Sequence, residues 1–308
     1  MSQNIPPVSV SPVVLDAPRR IGQLPPVSPL AFGCWRLTGT DDDTAAAVNT
    51  AVDLGINLID TADVYGLDWG GTAFGSCEES LGRLFARQPG LREKVVLATK
   101  GGIIPGQPYD SSRDYLIAAC EASLRRLNTD HVDLYQIHRP DMFTHPDEIF
   151  AAFSSLRGRG LVGEVGVSNY TVSETQLLEA RLSFNLATVQ PEFSVARLDP
   201  MRDGTLDHCM KKSLVPLAWS PLAGGRVATG EGLRPGLVAV LDELAAREGV
   251  TRTAIAVAFV LAHPSHPVAI LGTQNPARLA ELARATTVTL TRPDLYRIVE
   301  ASDGVPLP

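Results

Sequence analysis

The chain is poor in cysteine, with four in 308 residues: Cys34, Cys77, Cys120 and Cys209. They form neither a CxxC pair nor a Cys/His ligand spacing. A disulfide framework is therefore not expected, nor a metal, and the thiols fit a reducing compartment. No apolar run approaches the ~20 residues a membrane-spanning helix needs. The start, MSQNIPPVSVSPVVL, lacks a basic region followed by an unbroken apolar one, so it does not resemble a secretory signal. A cytoplasmic location without a membrane partner is the expectation. Positive charge is not in excess either. The formal net charge is −7, which argues against general nucleic-acid binding. No G-x-G-x-x-G follows an apolar run, which weighs against an open dinucleotide-binding sheet. Low-complexity segments and Gly/Ser linkers that would split the chain are also missing.

What the chain has is an alternation of apolar and amphipathic segments. Strands are predicted at 30–35, 57–61, 95–100, 132–138, 163–168, 187–191, 215–219 and 268–272. Between them lie helical patterns. Residues 114–127 place Leu116, Cys120, Leu124 and Leu127 on one face, and residues 145–157 and 237–247 repeat that 3/4 spacing. Residues 253–262 are apolar nearly all round, as in a buried helix. Apolar strands joined by helices imply parallel pairing covered on the outside. Eight such units favour a single-domain, closed (β/α)8 TIM barrel, which chains of this length commonly form. The Pro-rich residues 1–29 are expected to form an arm or hairpin at the barrel floor, with the barrel itself spanning 30–308.

In such a barrel, functional groups collect at the C-terminal ends of the strands. Those ends are unusually polar here. The second strand, NLIDT, ends at Asp60, and Asp63 and Tyr65 follow at once. The third ends in Lys100, the fourth in His138, the fifth in Ser168-Asn169, the sixth in Gln190 and the seventh in Trp219-Ser220. Singly, each has an ordinary explanation. Asp60 and Lys100 could be a structural ion pair, His138 a satisfied core residue, Tyr65 and Trp219 packing groups, and Ser168-Asn169 a helix cap. Six polar ends together call for a shared cause.

The motifs GINLIDTADVYG, LATKGG, LYQIHRP, GEVGVSNY, VQPEFS and AWSPLAGG resemble, in order and spacing, those of the aldo-keto reductases. The overall pattern is most similar to bacterial oxidoreductases of that family with short external loops. The resemblance implies that Asp60, Tyr65, Lys100 and His138 are the catalytic four, with Asp63 a polar loop residue. The chemistry is coherent. A tyrosine holds its proton at neutral pH and can give it to a nascent alkoxide. A lysine ammonium beside it favours the phenolate, Asp60 keeps that lysine charged, and His138 polarises the carbonyl. None of these groups supplies a hydride, so a nicotinamide cofactor must.

The resemblance also implies a cofactor cradle. Ser168, Asn169 and Gln190 would hold the carboxamide, and Trp219 would stack on the nicotinamide. Ser220, Leu222 and Gly224 would cover the pyrophosphate. Gly272, Thr273, Gln274, Arg278 and Glu281 would face the adenosine phosphate, and Gly33, Trp35 and Asp60 would complete the cofactor set. Trp35, Tyr65, Trp69 and His138 would contact substrate. Two positions depart from the family pattern: Gln274, where many relatives have a basic residue, and Leu282, where many have an adenine-contacting asparagine. Arg278 is the only basic side chain in 272–282. A guanidinium suits a 2′-phosphate, so NADPH is the expected cofactor, with NADH possible. The Gly-rich segment 66–76 and segment 101–110 are expected to be rim loops that set specificity. The partner is a small carbonyl compound, and the chain is expected to be a monomer or weak homo-oligomer. Two other readings keep the same barrel: a Schiff-base lyase using Lys100, and a nucleotide-binding regulatory subunit with little turnover.

Overall fold

Successive residues of a strand point to opposite faces, and that parity organises the whole molecule. The computed structural model describes residues 13, 15–67 and 72–308; Trp69, expected at the substrate rim, lies outside the described residues. The strands are β1 (Leu30–Gly33), β2 (Leu58–Asp60), β3 (Val96–Gly101), β4 (Ile103–Ile104), β5 (Gln107–Tyr109), β6 (Val132–Ile137), β7 (Val162–Ser168), β8 (Thr188–Gln190), β9 (Val215–Ala218) and β10 (Val268–Leu271). All except β4 and β5 close into a barrel in the order β1-β10-β9-β8-β7-β6-β3-β2, and every pair in it is parallel. With helices between the strands this is a (β/α)8 TIM barrel.

Two apolar layers follow from the parity. Inside the barrel, Ala31, Leu58, Val96, Ala98, Leu134 and Ile270 belong to one cluster. Their strand neighbours Phe32, Ile59, Leu97, Tyr135 and Ala269 belong to a larger cluster shared with the helices. Helix Arg113–Leu127 buries Leu116, Cys120, Leu124 and Leu127. Helix Arg252–Leu261 is buried continuously from Ala254 to Leu261, as its all-round apolar sequence requires. The four cysteines are buried and free.

At the N-terminal end of the barrel, Arg19 and Val27 exchange two backbone hydrogen bonds. The turn between them sends Ile21 into the inner cluster. Gly22 sits there at φ +51°, and a Cβ on it would lie 2.3 Å from the Glu164 carboxylate. That carboxylate accepts the Gln23 N–H at 2.8 Å, so only glycine fits.

One expectation needs correction. Segment 101–110 is not an irregular loop throughout: β4 and β5 form an antiparallel hairpin. Its turn is Pro105-Gly106, with Gly106 at φ +83°, the residue pair a type II turn requires. The first strand also stops earlier than predicted, so Trp35 lies in a turn and is 39% exposed.

Candidate active site

The same parity that buries Leu58 turns Asp60 inward two residues later. Ala98 is followed in this way by Lys100, Gln136 by His138, Gly166 by Ser168, Thr188 by Gln190 and Leu217 by Trp219. The registers keep these ends level. Gly33 lies opposite Asp60, Lys100 opposite Gln136, and Ser168 opposite Gln190. Backbone bonds extend the ladder past the strands: Asp63 N–H donates to Lys100 O, His138 N–H to Gly101 O and Asn169 N–H to Gln190 O. One mouth therefore collects all of these side chains.

Lys100 is fully buried, and its Nζ donates to Asp60 Oδ2 at 2.7 Å and to the Thr61 carbonyl at 2.8 Å. The other Asp60 oxygen accepts from Gln190 Nε2 at 2.9 Å. Burial alone would lower the Lys100 pKa, but Asp60 and then Tyr65 outweigh it, and the ammonium is held more firmly than usual. Lys100 Nζ lies 5.2 Å from the Tyr65 ring centroid. The rings of Tyr65 and His138 meet edge to face at 5.6 Å. Burial pushes the Tyr65 pKa up to about 12, and Lys100 pulls against it by charge and hydrogen bonding. The direction of the lysine's influence is the one expected, but burial wins. Burial also drops the His138 pKa well below its usual value, with Lys100 and Arg139 adding to the effect. The imidazole is therefore neutral at neutral pH, and its Nδ1 is buried without a partner.

Beside these groups lies a polar shelf. Asn169, at φ +59°, donates through Nδ2 to Ser168 Oγ at 2.8 Å and to the His138 carbonyl at 3.2 Å. Its Oδ1 accepts the Trp219 indole N–H at 2.9 Å. Ser168 Oγ donates to the Gln190 carbonyl at 3.1 Å. Ser168 and Asn169 do not cap the next helix; Thr171 does. Ser220 Oγ accepts from Gly224 N–H at 2.8 Å, and Leu222 is partly buried against the outer core.

The last loop is less uniform. Thr273 Oγ1 accepts from Asn275 N–H, and Asn275 caps helix Pro276–Ala283 through Arg278 N–H. The Arg278 side chain is exposed and makes no ion pair among the described residues. Glu281 is half-buried. Gln274, by contrast, turns its Nε2 to the Gly33 carbonyl at 2.9 Å and buries Oε1, so it ties β10 to β1. Leu282 is 4% exposed; an apolar side chain there packs the helix.

Three features escaped the sequence reading. Asp63, expected as a polar loop residue, does lie in a turn, but it is 1% exposed and neither carboxylate oxygen has a partner. Gln190 bonds Asp60, joining the shelf to the Lys100 pair. Arg139 sits over the Trp219 ring, 5.8 Å from its centroid. The signal for Arg139 was its place directly after His138 at a strand end.

The arrangement fits a nicotinamide dinucleotide. Gln190 Oε1 accepts no hydrogen bond from the described residues and can take a carboxamide N–H. Gly224, Gly225 and Gly272 have nothing within 4 Å of where a Cβ would stand, so backbone is open to a phosphate. Arg278 offers an unpaired cation beyond them.

A family model described as the aldo/keto reductase family matches residues 29–303. The chain belongs to the aldo/keto reductase family. A 6-dehydroglucose reductase of Novosphingobium aromaticivorans is 46% identical over 92% of this chain and 94% of its own length. A 6-dehydroglucose reductase of Agrobacterium fabrum is 36% identical over 90% and 95%. A solved thermostable aldo-keto reductase, in complex with the inhibitor epalrestat, superimposes with a TM-score of 0.81. It is 27% identical and covers 92% of this chain and 99% of its own. This aldo-keto reductase is accordingly an oxidoreductase acting on small carbonyl compounds. No helix among its described residues is long and apolar enough to cross a membrane.

Proposed function

We propose that the protein is an NADPH-dependent reductase of small aldehydes and ketones, with Tyr65 as the general acid. The observation that carries this is the convergence of the Tyr65 phenol, the Lys100–Asp60 pair and the neutral His138 ring at one mouth. A bound NADPH supplies the hydride. Ser168, Asn169, Gln190 and Trp219 would hold its nicotinamide end, Ser220, Leu222 and Gly224 its pyrophosphate, and Gly272, Thr273 and Arg278 its adenosine phosphate. Gln274 is engaged with Gly33 and is not counted among these contacts, and Glu281 would serve only through its exposed side. Gly33 and Trp35 lie at the rim of the same mouth.

As the carbonyl oxygen gains charge, the Tyr65 hydroxyl gives it a proton. A phenol of raised pKa keeps that proton until an alkoxide, a much stronger base, appears beside it. Lys100 lowers the cost of the phenolate that remains, and Asp60, held in place by Gln190, keeps the ammonium charged. Neutral His138 offers a ring N–H that orients the carbonyl. A Schiff-base nucleophile, by contrast, must be a free amine, and the Asp60 pair together with a raised pKa opposes that use of Lys100.

The two relatives named 6-dehydroglucose reductase support a sugar-derived aldehyde as substrate. The four free thiols support a reducing, cytoplasmic setting. The test is NADPH oxidation by the purified protein with 6-dehydroglucose and a panel of simple aldehydes. Saturable turnover is expected. NADPH binding with no turnover of any aldehyde would instead favour a regulatory, nucleotide-binding role.

A further inference from the structure

Arg139 is a half-buried cation without an anion. It follows β6 directly after His138, and its guanidinium lies over the Trp219 ring at 5.8 Å. It enters no hydrogen bond or ion pair with any described residue. Most of the buried or half-buried arginines of the protein are tied down: Arg126 to Glu78, Arg92 to Asp133 and Arg252 to Asp242. The nearest acid in sequence, Asp141, is engaged by Ser111 N–H, Phe143 N–H and the Thr144 hydroxyl. The other buried cation of the mouth, Lys100, is already neutralised by Asp60.

A guanidinium has five donors and no acceptor, and those of Arg139 have no partner among the described residues. The cation–π contact with the indole ring satisfies none of those donors. It adjoins His138 in sequence and Trp219 in space, the two side chains that border the carbonyl and nicotinamide positions proposed above. The pyrophosphate and adenosine positions proposed above are carried by other loops, 220–225 and 272–278.

We infer that Arg139 is a specificity-determining residue, whose guanidinium fork binds acceptor oxygens that the substrate carries next to its carbonyl. This deepens the carbonyl-reductase reading and rests on it. The ligand chemistry is an oxygen pair, supplied by neighbouring hydroxyls of a sugar-derived aldehyde or by a carboxylate. A planar fork matches either pair. A substrate lacking such oxygens makes no bond to the fork.

The test compares aldehydes that differ only in those oxygens. Glyceraldehyde is paired with propanal, and succinic semialdehyde with butanal, for wild type, Arg139→Met and Arg139→Lys. Hydrogen bonds to a charged group are worth about 10–100-fold in affinity. Arg139→Met should therefore lower the kcat/KM ratio of an oxygenated aldehyde to its plain partner by about that factor, through KM. A fall confined to the glyceraldehyde pair identifies hydroxyls as the ligand, and one confined to the succinic semialdehyde pair identifies a carboxylate. Arg139→Lys keeps charge without the fork, so it should restore the carboxylate ratio better than the diol ratio. Unchanged ratios in both pairs overturn the inference. So does an equal loss for all four aldehydes with a displaced pH profile, which would mean that Arg139 acts through His138. A wild type that binds NADPH yet reduces none of the four overturns the carbonyl-reductase reading itself, and this inference with it.

Discussion

Asp60 and Asp63 leave the same strand three residues apart, and both are buried, at 2% and 1% exposure. Their surroundings are opposite. Asp60 faces the barrel interior, where Lys100 and Gln190 take one oxygen each. Asp63 lies towards the outer layer, near the Tyr135 hydroxyl. There Glu78 has already taken the Thr99 hydroxyl and the Arg126 guanidinium. Burial therefore pushes the Asp63 pKa well above the usual carboxylate range. Glu78 adds to that, and Arg126 and Lys100 oppose it. The difference teaches that residue type does not decide what a buried acid does. A cation within reach makes it half of an ion pair that can tune a neighbouring phenol. Without one the acid favours its neutral form.

The contrast can be broken most forcefully at Lys100. Lys100→Met leaves Asp60 buried without its cation, and breaking a buried pair from one side costs about 3–5 kcal/mol. The variant should melt well below wild type and reduce no aldehyde at a useful rate. A melting temperature equal to wild type would show that Asp60 does not depend on the pair.

A cation without an internal partner sharpens the contrast from the other side. Arg278 is exposed, so being unpaired costs it little. If it reads the 2′-phosphate, Arg278→Ala should weaken NADPH binding by about 10–100-fold and leave NADH nearly unchanged. Dissociation constants for both cofactors decide this. Equal losses for the two would place Arg278 away from the phosphate.

Asp63→Asn tests the other side of the comparison, and the sign of its effect is diagnostic. A carboxyl whose pKa is raised on folding binds more protons in the folded chain than in the unfolded one. Its contribution to stability then falls as pH rises from about 3.9 through the raised value, by about 1.4 kcal/mol for each unit of displacement. An amide removes that loss. Asp63→Asn should melt above wild type at neutral pH, and the gap should close below about pH 4. A variant that melts lower at neutral pH would show that Asp63 is ionised and stabilised by Arg126.

Most of the barrel was legible because period-two burial is a property of the sequence itself. The apolar residues of 95–100 or 132–138 mark a strand, and counting by twos from Val96 or Leu134 reaches Lys100 and His138. Counting says less once the chain leaves the ladder. Asp63 lies in a turn, and alternation points it outward without showing that the outer layer buries it with no partner for its carboxylate. The β4–β5 hairpin is too short to show alternation, although Pro105-Gly106 marks its turn. The net displacement of the Tyr65 pKa depends on burial competing with Lys100 at a given distance, and a sequence carries neither quantity. Gln190 and Gln274 illustrate the same limit. One bonds Asp60 and the other Gly33, partners 130 and 241 residues away along the chain, and spacing along a sequence shows neither bond.

The most direct test of the proposed mechanism is made on Tyr65→Phe, which removes one hydroxyl and keeps the ring against His138. NADPH affinity, followed by quenching of tryptophan fluorescence, and aldehyde reduction are measured on the same preparation. Loss of a positioned general acid costs about 10²–10⁴-fold in rate. The variant should bind NADPH as wild type does, melt at the wild-type temperature and lose aldehyde reduction by that factor. Turnover near the wild-type rate with normal NADPH binding would contradict Tyr65 as the proton donor.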